Sequence, residues 1–91
     1  MTDKEIHKEF EPIKAMFETG KITQMKQLDK LSPTKLSKLL RINYGRYIEK
    51  LYNPELFAIH ELKNFANLIN IDLEVIGNIV IKEVKRKSRT K

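Results

Sequence analysis

Apolar residues recur at intervals of three and four along most of this chain, which is the spacing that places them on one face of an α-helix. No segment sustains the alternation of apolar and polar residues that a half-buried strand requires. The pattern therefore predicts an all-α protein, folded as a compact bundle of five to six helices. The 91 residues fit one domain, because two separate hydrophobic cores would need a longer chain.

Capping and helix-breaking residues divide this pattern into elements. Pro12 is expected to bend or interrupt the first helix, and Gly20 to end it. Ser32 and Asn43 are suitable N-caps for later helices, and Pro54 stops the helix before it. The helices predicted in this way span residues 3–19, 22–31, 33–41, 44–52, 58–69 and 73–84.

The connection between the third and fourth predicted helices is the most informative part of the pattern. Only about three residues separate two helices of two or three turns each, and this arrangement is typical of a helix-turn-helix. In that motif the first helix crosses the phosphate backbone and the second lies in the major groove of DNA. The spacing predicts a helix-turn-helix over residues 33–52.

The net charge of +6 is distributed unevenly along the chain. Residues 21–52 carry eight bases and two acids, and residues 82–91 carry six bases and one acid, whereas the other segments are net acidic. The helix-turn-helix lies inside the central basic block, which indicates a polyanionic partner. The alternative is that these charges only form a solvated surface.

The segment from Ser32 to Ile76 resembles the Xre-type helix-turn-helix domain, which is the fold of phage repressors and Cro proteins. The resemblance covers about half of the chain and includes the helix pair at 33–52. It also includes the apolar spacing and the lead into the last helix given by Leu62, Phe65, Ala66, Ile69, Asn70, Ile71 and Asp72. It implies a phage-repressor type of DNA-binding domain with an added N-terminal helix, in which residues 22–31 are the family's first helix.

The chain departs from the family pattern at the turn and in the fourth helix. Arg41 stands where the family usually has glycine, and the family's buried positions fall on Tyr47 and Lys50. Because lysine is rarely buried, Ile48 and Leu51 are expected to fill those positions instead, with a turn one residue longer than usual.

The start of the fourth helix is predicted to contact base edges. Arg46 carries the planar donor fork that pairs with O6 and N7 of guanine, and Tyr44 is expected beside it. The start of the third helix is predicted to contact phosphate. The predicted DNA-binding residues are Thr34, Lys35, Lys38, Asn43, Tyr44, Gly45, Arg46, Tyr47 and Lys50.

Several of these residues have alternative roles. Asn43 is more readily explained as a helix cap than as a contact to adenine. Tyr47 is equally suited to core packing, and Gly45 either lets the backbone approach DNA or is a neutral surface glycine. Residues 1–84 are predicted to form the domain, and the basic residues 85–91 a flexible tail that attracts DNA or only aids solubility.

Several other functions are excluded or disfavoured by the sequence. The chain has no cysteine, so it forms no disulfide, thiolate nucleophile or cysteine-based zinc site. Its two histidines are far apart, no carboxylate cluster has metal-ligand spacing, and its three glycines are scattered. We therefore predict that the protein is not an enzyme and uses no metal or cofactor. No apolar run approaches a membrane span and the first ten residues lack a signal-peptide core, so a cytoplasmic location is predicted.

The sequence thus predicts a small transcriptional regulator that binds double-stranded DNA sequence-specifically. The last helix carries more apolar surface than one face needs, which suggests a homodimer through that helix. Two alternatives stay open. One is a helical protein-interaction module, such as an antitoxin-like or phage accessory protein, and the other is a non-specific nucleic-acid binder that acts through its tail.

Overall fold

A computed structural model describes residues 3–89, with side chains from residue 5 to residue 87. Within this range the chain is helical and has no strand, which confirms the predicted all-α class. No helix in the range is long and apolar enough to cross a lipid bilayer. The α-helices are α1 (Asp3–Glu9), α2 (Glu11–Glu18), α3 (Pro33–Leu40), α4 (Tyr44–Tyr52), α5 (Ile59–Ile69) and α6 (Leu73–Arg89), and the 3-10 helices are Met25–Lys30 and Pro54–Leu56.

The N-terminal segment contains an interruption, as the sequence predicts. The break falls at Phe10, whose φ and ψ of −100° and 12° are not helical, and Pro12 occupies the first turn of α2. Phe10 is only 1% exposed, so the break turns an aromatic ring into the core.

The predicted second α-helix is wrong, because the segment from Met25 to Lys30 forms a 3-10 helix instead. The Gln27 side chain caps the start of this segment. Its Oε1 accepts hydrogen bonds from the backbone amides of Thr23 and Gln24 at 2.8 and 2.9 Å, so these amides are bonded to a side chain at the start of the segment.

Three helices end at residues with left-handed backbone geometry: Gly20, Arg41 and Asn70, with φ of 78°, 59° and 60°. In each case the next amide bonds back to a carbonyl five residues earlier, which is the Schellman closure. The bonds are Lys21 to Met16, Ile42 to Ser37 and Ile71 to Ala66, each 2.9 Å long. Arg41 therefore adopts the conformation that the resemblance assigns to glycine, at a cost of about 1–2 kcal/mol.

The two helices predicted within residues 33–52 are present as α3 and α4, which residues 41–43 join. Asn43 caps α4, since its Oδ1 accepts the amides of Gly45 at 2.9 Å and Arg46 at 3.3 Å. Ser32 precedes α3 as predicted, but its hydroxyl makes no capping bond. Its φ of 49° differs from the extended geometry in which serine usually caps a helix.

The hydrophobic core lies between the helices. It includes Tyr47, whose place in the core was predicted for Ile48. Tyr47 and Leu51 are fully buried, whereas Ile48 is only partly buried, so the expected exchange of Tyr47 for Ile48 is wrong. Ile59, the first residue of α5, is 74% exposed, although helical spacing places it on the same face as the buried Leu62 and Ala66.

The predicted boundary between a domain at 1–84 and a tail at 85–91 has no counterpart in the described chain, because α6 continues to Arg89. Lys87 is tied to the end of α4. Its Nζ lies 3.2 Å from the Tyr52 carbonyl oxygen, from Asn53 Oδ1 and from Glu55 Oε1. Residues 90–91 lie outside the described range.

Candidate nucleic-acid interface

The exposed face of α4 contains most of the residues that were predicted to contact bases. Successive residues of an α-helix are rotated by about 100°, so burial of Tyr47 directs Gly45, Arg46 and Glu49 away from the core. All three are exposed, and Tyr44 at the start of the helix is 50% exposed. The structure therefore brings Tyr44, Gly45 and Arg46 together on one accessible surface at the start of α4.

Gly45 has room for a larger side chain within its own protein. A Cβ at this position would meet only Asn43 Oδ1, at an ordinary contact distance of 3.4 Å. The fold therefore does not require glycine here, although glycine costs about 1 kcal/mol relative to alanine in a helix interior.

Glu49 is an exposed residue on the same face that the sequence interpretation did not include. It follows Gly45 by four residues, so helical spacing alone was sufficient to place it there. Carboxylates are able to accept a hydrogen bond from N4 of cytosine and are repelled by phosphate. This residue favours a base-facing orientation of the α4 surface over a phosphate-facing one.

Tyr47 lies in the core, so its predicted contact with DNA is wrong and its alternative role in packing is confirmed. The side chain is 0% exposed and its ring stacks on Phe65, with centroids 6.4 Å apart and planes at 27°. Burial raises the pKa of the Tyr47 phenol above its ordinary value. Its Oη has no hydrogen-bond partner among the described residues, which is costly for a buried hydroxyl.

Replacing Tyr47 by phenylalanine is expected to stabilise the protein by about 1 kcal/mol, because the variant removes the buried hydroxyl and keeps the ring. The midpoint of urea unfolding, measured at constant m-value, tests this. Tyr44→Phe is the matched control, since Tyr44 is exposed and should leave the midpoint unchanged. A lower midpoint for Tyr47→Phe would show that the hydroxyl has a stabilising partner.

Lys50 is held by Glu61 and does not face outward, so its predicted place on the base-reading surface of the fourth helix is wrong. Its Nζ lies 2.7 Å from both carboxylate oxygens, and the two side chains are only 14% and 16% exposed. Glu61 Oε1 also accepts the Ala58 amide at 2.8 Å, which caps the start of α5. The ion pair explains how a lysine occupies one of the inward positions of α4.

The pKa of Glu61 reflects opposing influences. Burial, the largest of them, raises it, but hydrogen bonds from Lys50 and from the Ala58 amide, together with the positive charges of Lys50 and His60, outweigh burial. The pKa of this carboxyl therefore lies below its ordinary value. The ionised form of Glu61 is stabilised by the fold.

The residues predicted to contact phosphate are placed differently from one another. Thr34 and Lys38 are exposed, and Arg41 adds an exposed cation in the turn. Lys35 is paired with Glu9, with Nζ 2.6 Å from Oε1, and is therefore partly neutralised. Lys38 and Arg41 are the cations available beside the start of α4.

The described part of the chain contains no group of three or more histidine, cysteine, aspartate or glutamate residues that is suited to hold a metal ion. The ring of His7 lies against α5, with Nε2 3.0 Å from the Asn67 carbonyl oxygen. His60 is exposed on the surface of α5.

Comparison of this chain with models of protein families, with curated proteins and with solved structures finds no match. The resemblance to the Xre-type domain therefore stays a prediction.

Proposed function

We propose that this protein binds double-stranded DNA sequence-specifically through α3 and α4, as a small transcriptional regulator with an Xre-like helix-turn-helix domain. The observation that carries the proposal is the position of Tyr44, Gly45 and Arg46. They are exposed at the start of a helix that follows a three-residue turn, and the Asn43 cap fixes the backbone on which they stand.

The dimensions of α4 suit the major groove. Nine residues give a helix about 13 Å long, and the groove is about 12 Å wide and admits an α-helix. In that position Arg46 donates two hydrogen bonds to guanine, and Gly45 lets the helix backbone approach the base edges. Glu49 then faces the groove, where it accepts a hydrogen bond from cytosine.

The cations beside α4 supply the contacts that position the helix. Lys38 near the end of α3 and Arg41 in the turn are exposed on the side from which α4 begins. The first amides of α3 have no capping side chain, since the Ser32 hydroxyl does not bond to them. Uncapped amides and exposed cations both favour phosphate, which fixes register without carrying sequence information.

The experiment that tests this function is a selection of bound duplexes from a random pool, followed by titration of the selected and a random duplex at several salt concentrations. A conserved core sequence and tighter binding to the selected duplex support the proposal. Equal binding to both duplexes would instead make the protein a non-specific nucleic-acid binder. Absence of binding to either would favour a protein-interaction module.

A second candidate function, self-association or another protein interaction, is favoured by one observation on α6. Leu73 and Ile81 are 39% and 53% exposed, and Gly77 lies between them on the same side of the helix. A Cβ added at Gly77 would meet no atom within 4 Å, so a second helix has room to approach. Two antiparallel copies of α6 that cross at Gly77 would bring Leu73 of each against Ile81 of the other.

If α6 mediates a homodimer, Ile81→Lys is expected to convert it to a monomer, because a charge replaces an apolar contact at the interface. Sedimentation equilibrium over a range of protein concentrations measures this change. Ile59→Lys is the matched control, since Ile59 is exposed on α5 and its replacement should leave the mass unchanged. A wild-type protein that stays monomeric throughout would contradict a homodimer through α6.

A further inference from the structure

The last turns of α6 are held against the end of α4 and the first 3-10 helix. The Lys87 ammonium is bonded to the Tyr52 carbonyl and the Asn53 side chain at 3.2 Å. Glu83, one turn earlier, accepts the backbone amide of Met25 at 3.2 Å. The basic residues of this part of α6 therefore have a fixed place beside the helix-turn-helix.

Two cations from different helices line the same surface groove in this region. A surface groove of about 210 Å³ has Lys26 of the 3-10 helix and Arg86 of α6 in its lining, together with the half-exposed Tyr52 ring. Both cations are exposed, and neither forms an ion pair with any residue that the structure describes. We call Lys26 and Arg86 the distal cluster, since they lie at the far end of α4 from the turn.

The carboxylates around the distal cluster are engaged with other groups. Asp29 accepts a hydrogen bond from the Tyr52 hydroxyl, Glu55 is paired with Lys87, and Glu83 accepts the Met25 amide. The hydrogen bond from Tyr52 and the charge of Asp29 raise the pKa of the Tyr52 phenol above its ordinary value, so the ring is neutral at physiological pH. Glu83 also lines the groove, but none of these three carboxylates forms an ion pair with Lys26 or Arg86, so both cations remain accessible to an external anion.

We propose that the distal cluster binds a phosphate of the DNA backbone beside the end of α4. The inference rests on the proposed function and adds a contact at the end of α4 that lies away from Lys38 and Arg41. Tyr52, which lines the groove, follows Gly45 by seven residues, or about two helical turns, and is half-exposed. The groove therefore borders the face of α4 that is proposed to contact DNA.

The distal cluster would contact the DNA backbone and not the base edges. Phosphate contacts raise affinity for every sequence alike and make it depend on salt, whereas base contacts discriminate between sequences. The distal cluster is therefore expected to strengthen binding to selected and random duplexes by the same factor. It belongs to the folded domain and not to a separate arm, because Lys87 and Glu83 fix the α6 backbone on both sides of Arg86.

The test is the double variant Lys26→Gln/Arg86→Gln, titrated with the selected and a random duplex at five salt concentrations. The slope of log K against log salt is expected to fall by about two, roughly one for each lost phosphate contact. Affinity should fall roughly tenfold or more on both duplexes at low salt, with the preference between them unchanged. Both side chains are exposed, so the urea midpoint should not move.

The control is Lys8→Gln/Lys63→Gln, which removes the same charge from exposed positions on α1 and α5. If the distal variant loses no more affinity and no more salt dependence than this control, the distal cluster does not bind phosphate, and the proposed function is unaffected. If the wild-type protein itself binds no duplex, the proposed function fails, and the inference fails with it.

Discussion

Replacing Glu61 by glutamine is expected to destabilise the folded protein by about 3 kcal/mol at neutral pH. The change leaves the Lys50 ammonium, whose side chain is only 14% exposed, without a counter-ion. Removing one partner of a buried pair costs about 3–5 kcal/mol, and the remaining exposure of these two side chains places the value at the lower end. Glutamine keeps an oxygen that accepts the Ala58 amide, so the loss reports on the ion pair and not on the helix cap.

The double variant Lys50→Met/Glu61→Gln separates the ion pair from other effects of the substitution. It removes both charges while methionine retains the apolar stem of lysine, so most of the lost stability should return. Urea unfolding of the wild type and both variants measures the three free energies. If Glu61→Gln alone lost less than about 1 kcal/mol, the pair would behave as an exposed one and the fold would not depend on it.

The same pair predicts how stability varies with pH. Because the pKa of Glu61 is lower in the folded protein than its ordinary value of about 4.5, the unfolded chain binds more protons at acidic pH. The contribution of this group to stability is therefore fully present above about pH 4.5, and it is lost as the pH falls through the folded-state pKa. Glu61→Gln should flatten this part of the profile of unfolding free energy against pH.

Replacing Arg46 by alanine is expected to cost about 1–3 kcal/mol in binding to the selected duplex and to relax preference at one base pair. The exposed guanidinium at the start of α4 offers two parallel donors, which match O6 and N7 of guanine. The measurement is the ratio of dissociation constants for the selected duplex and for the same duplex with its guanine replaced. Stability should change little, because Arg46 forms no ion pair with a described residue.

Arg46→Lys is the matched variant for this prediction. It keeps the positive charge but lacks the planar fork, so affinity for random DNA and its salt dependence should persist while base discrimination falls. An unchanged preference in Arg46→Ala would show that another residue reads the base and that the assignment of α4 is wrong. Loss of affinity on all duplexes alike would instead make Arg46 a phosphate contact.

The bounds of α3 and α4 were predictable because local chemistry determines them. Asn43 caps α4 through its own side chain, and Pro54 prevents the helix from continuing, so neighbouring residues contain the information. Local signals are weaker in the segment 22–31. Its apolar spacing fits an α-helix, but Met25–Lys30 forms a 3-10 helix, and nothing in the spacing distinguishes the two.

The inward position of Lys50 was not predictable from its own surroundings in the sequence. Lysine is rarely buried without a partner, and that partner, Glu61, lies eleven residues later on another helix. The distal cluster has the same origin, since Lys26 and Arg86 are distant in sequence and meet only because α6 extends past residue 84. Sequence patterns located the basic segments, and packing decided which cations remain accessible.

The left-handed backbone of Arg41 has a consequence for how this turn could evolve. Glycine at this position would relieve about 1–2 kcal/mol of conformational energy, and the Schellman bond from Ile42 would still form. It would also remove an exposed cation from the side of the molecule where α4 begins. If α4 binds DNA as proposed, glycine at position 41 would give a more stable protein with weaker attraction for DNA.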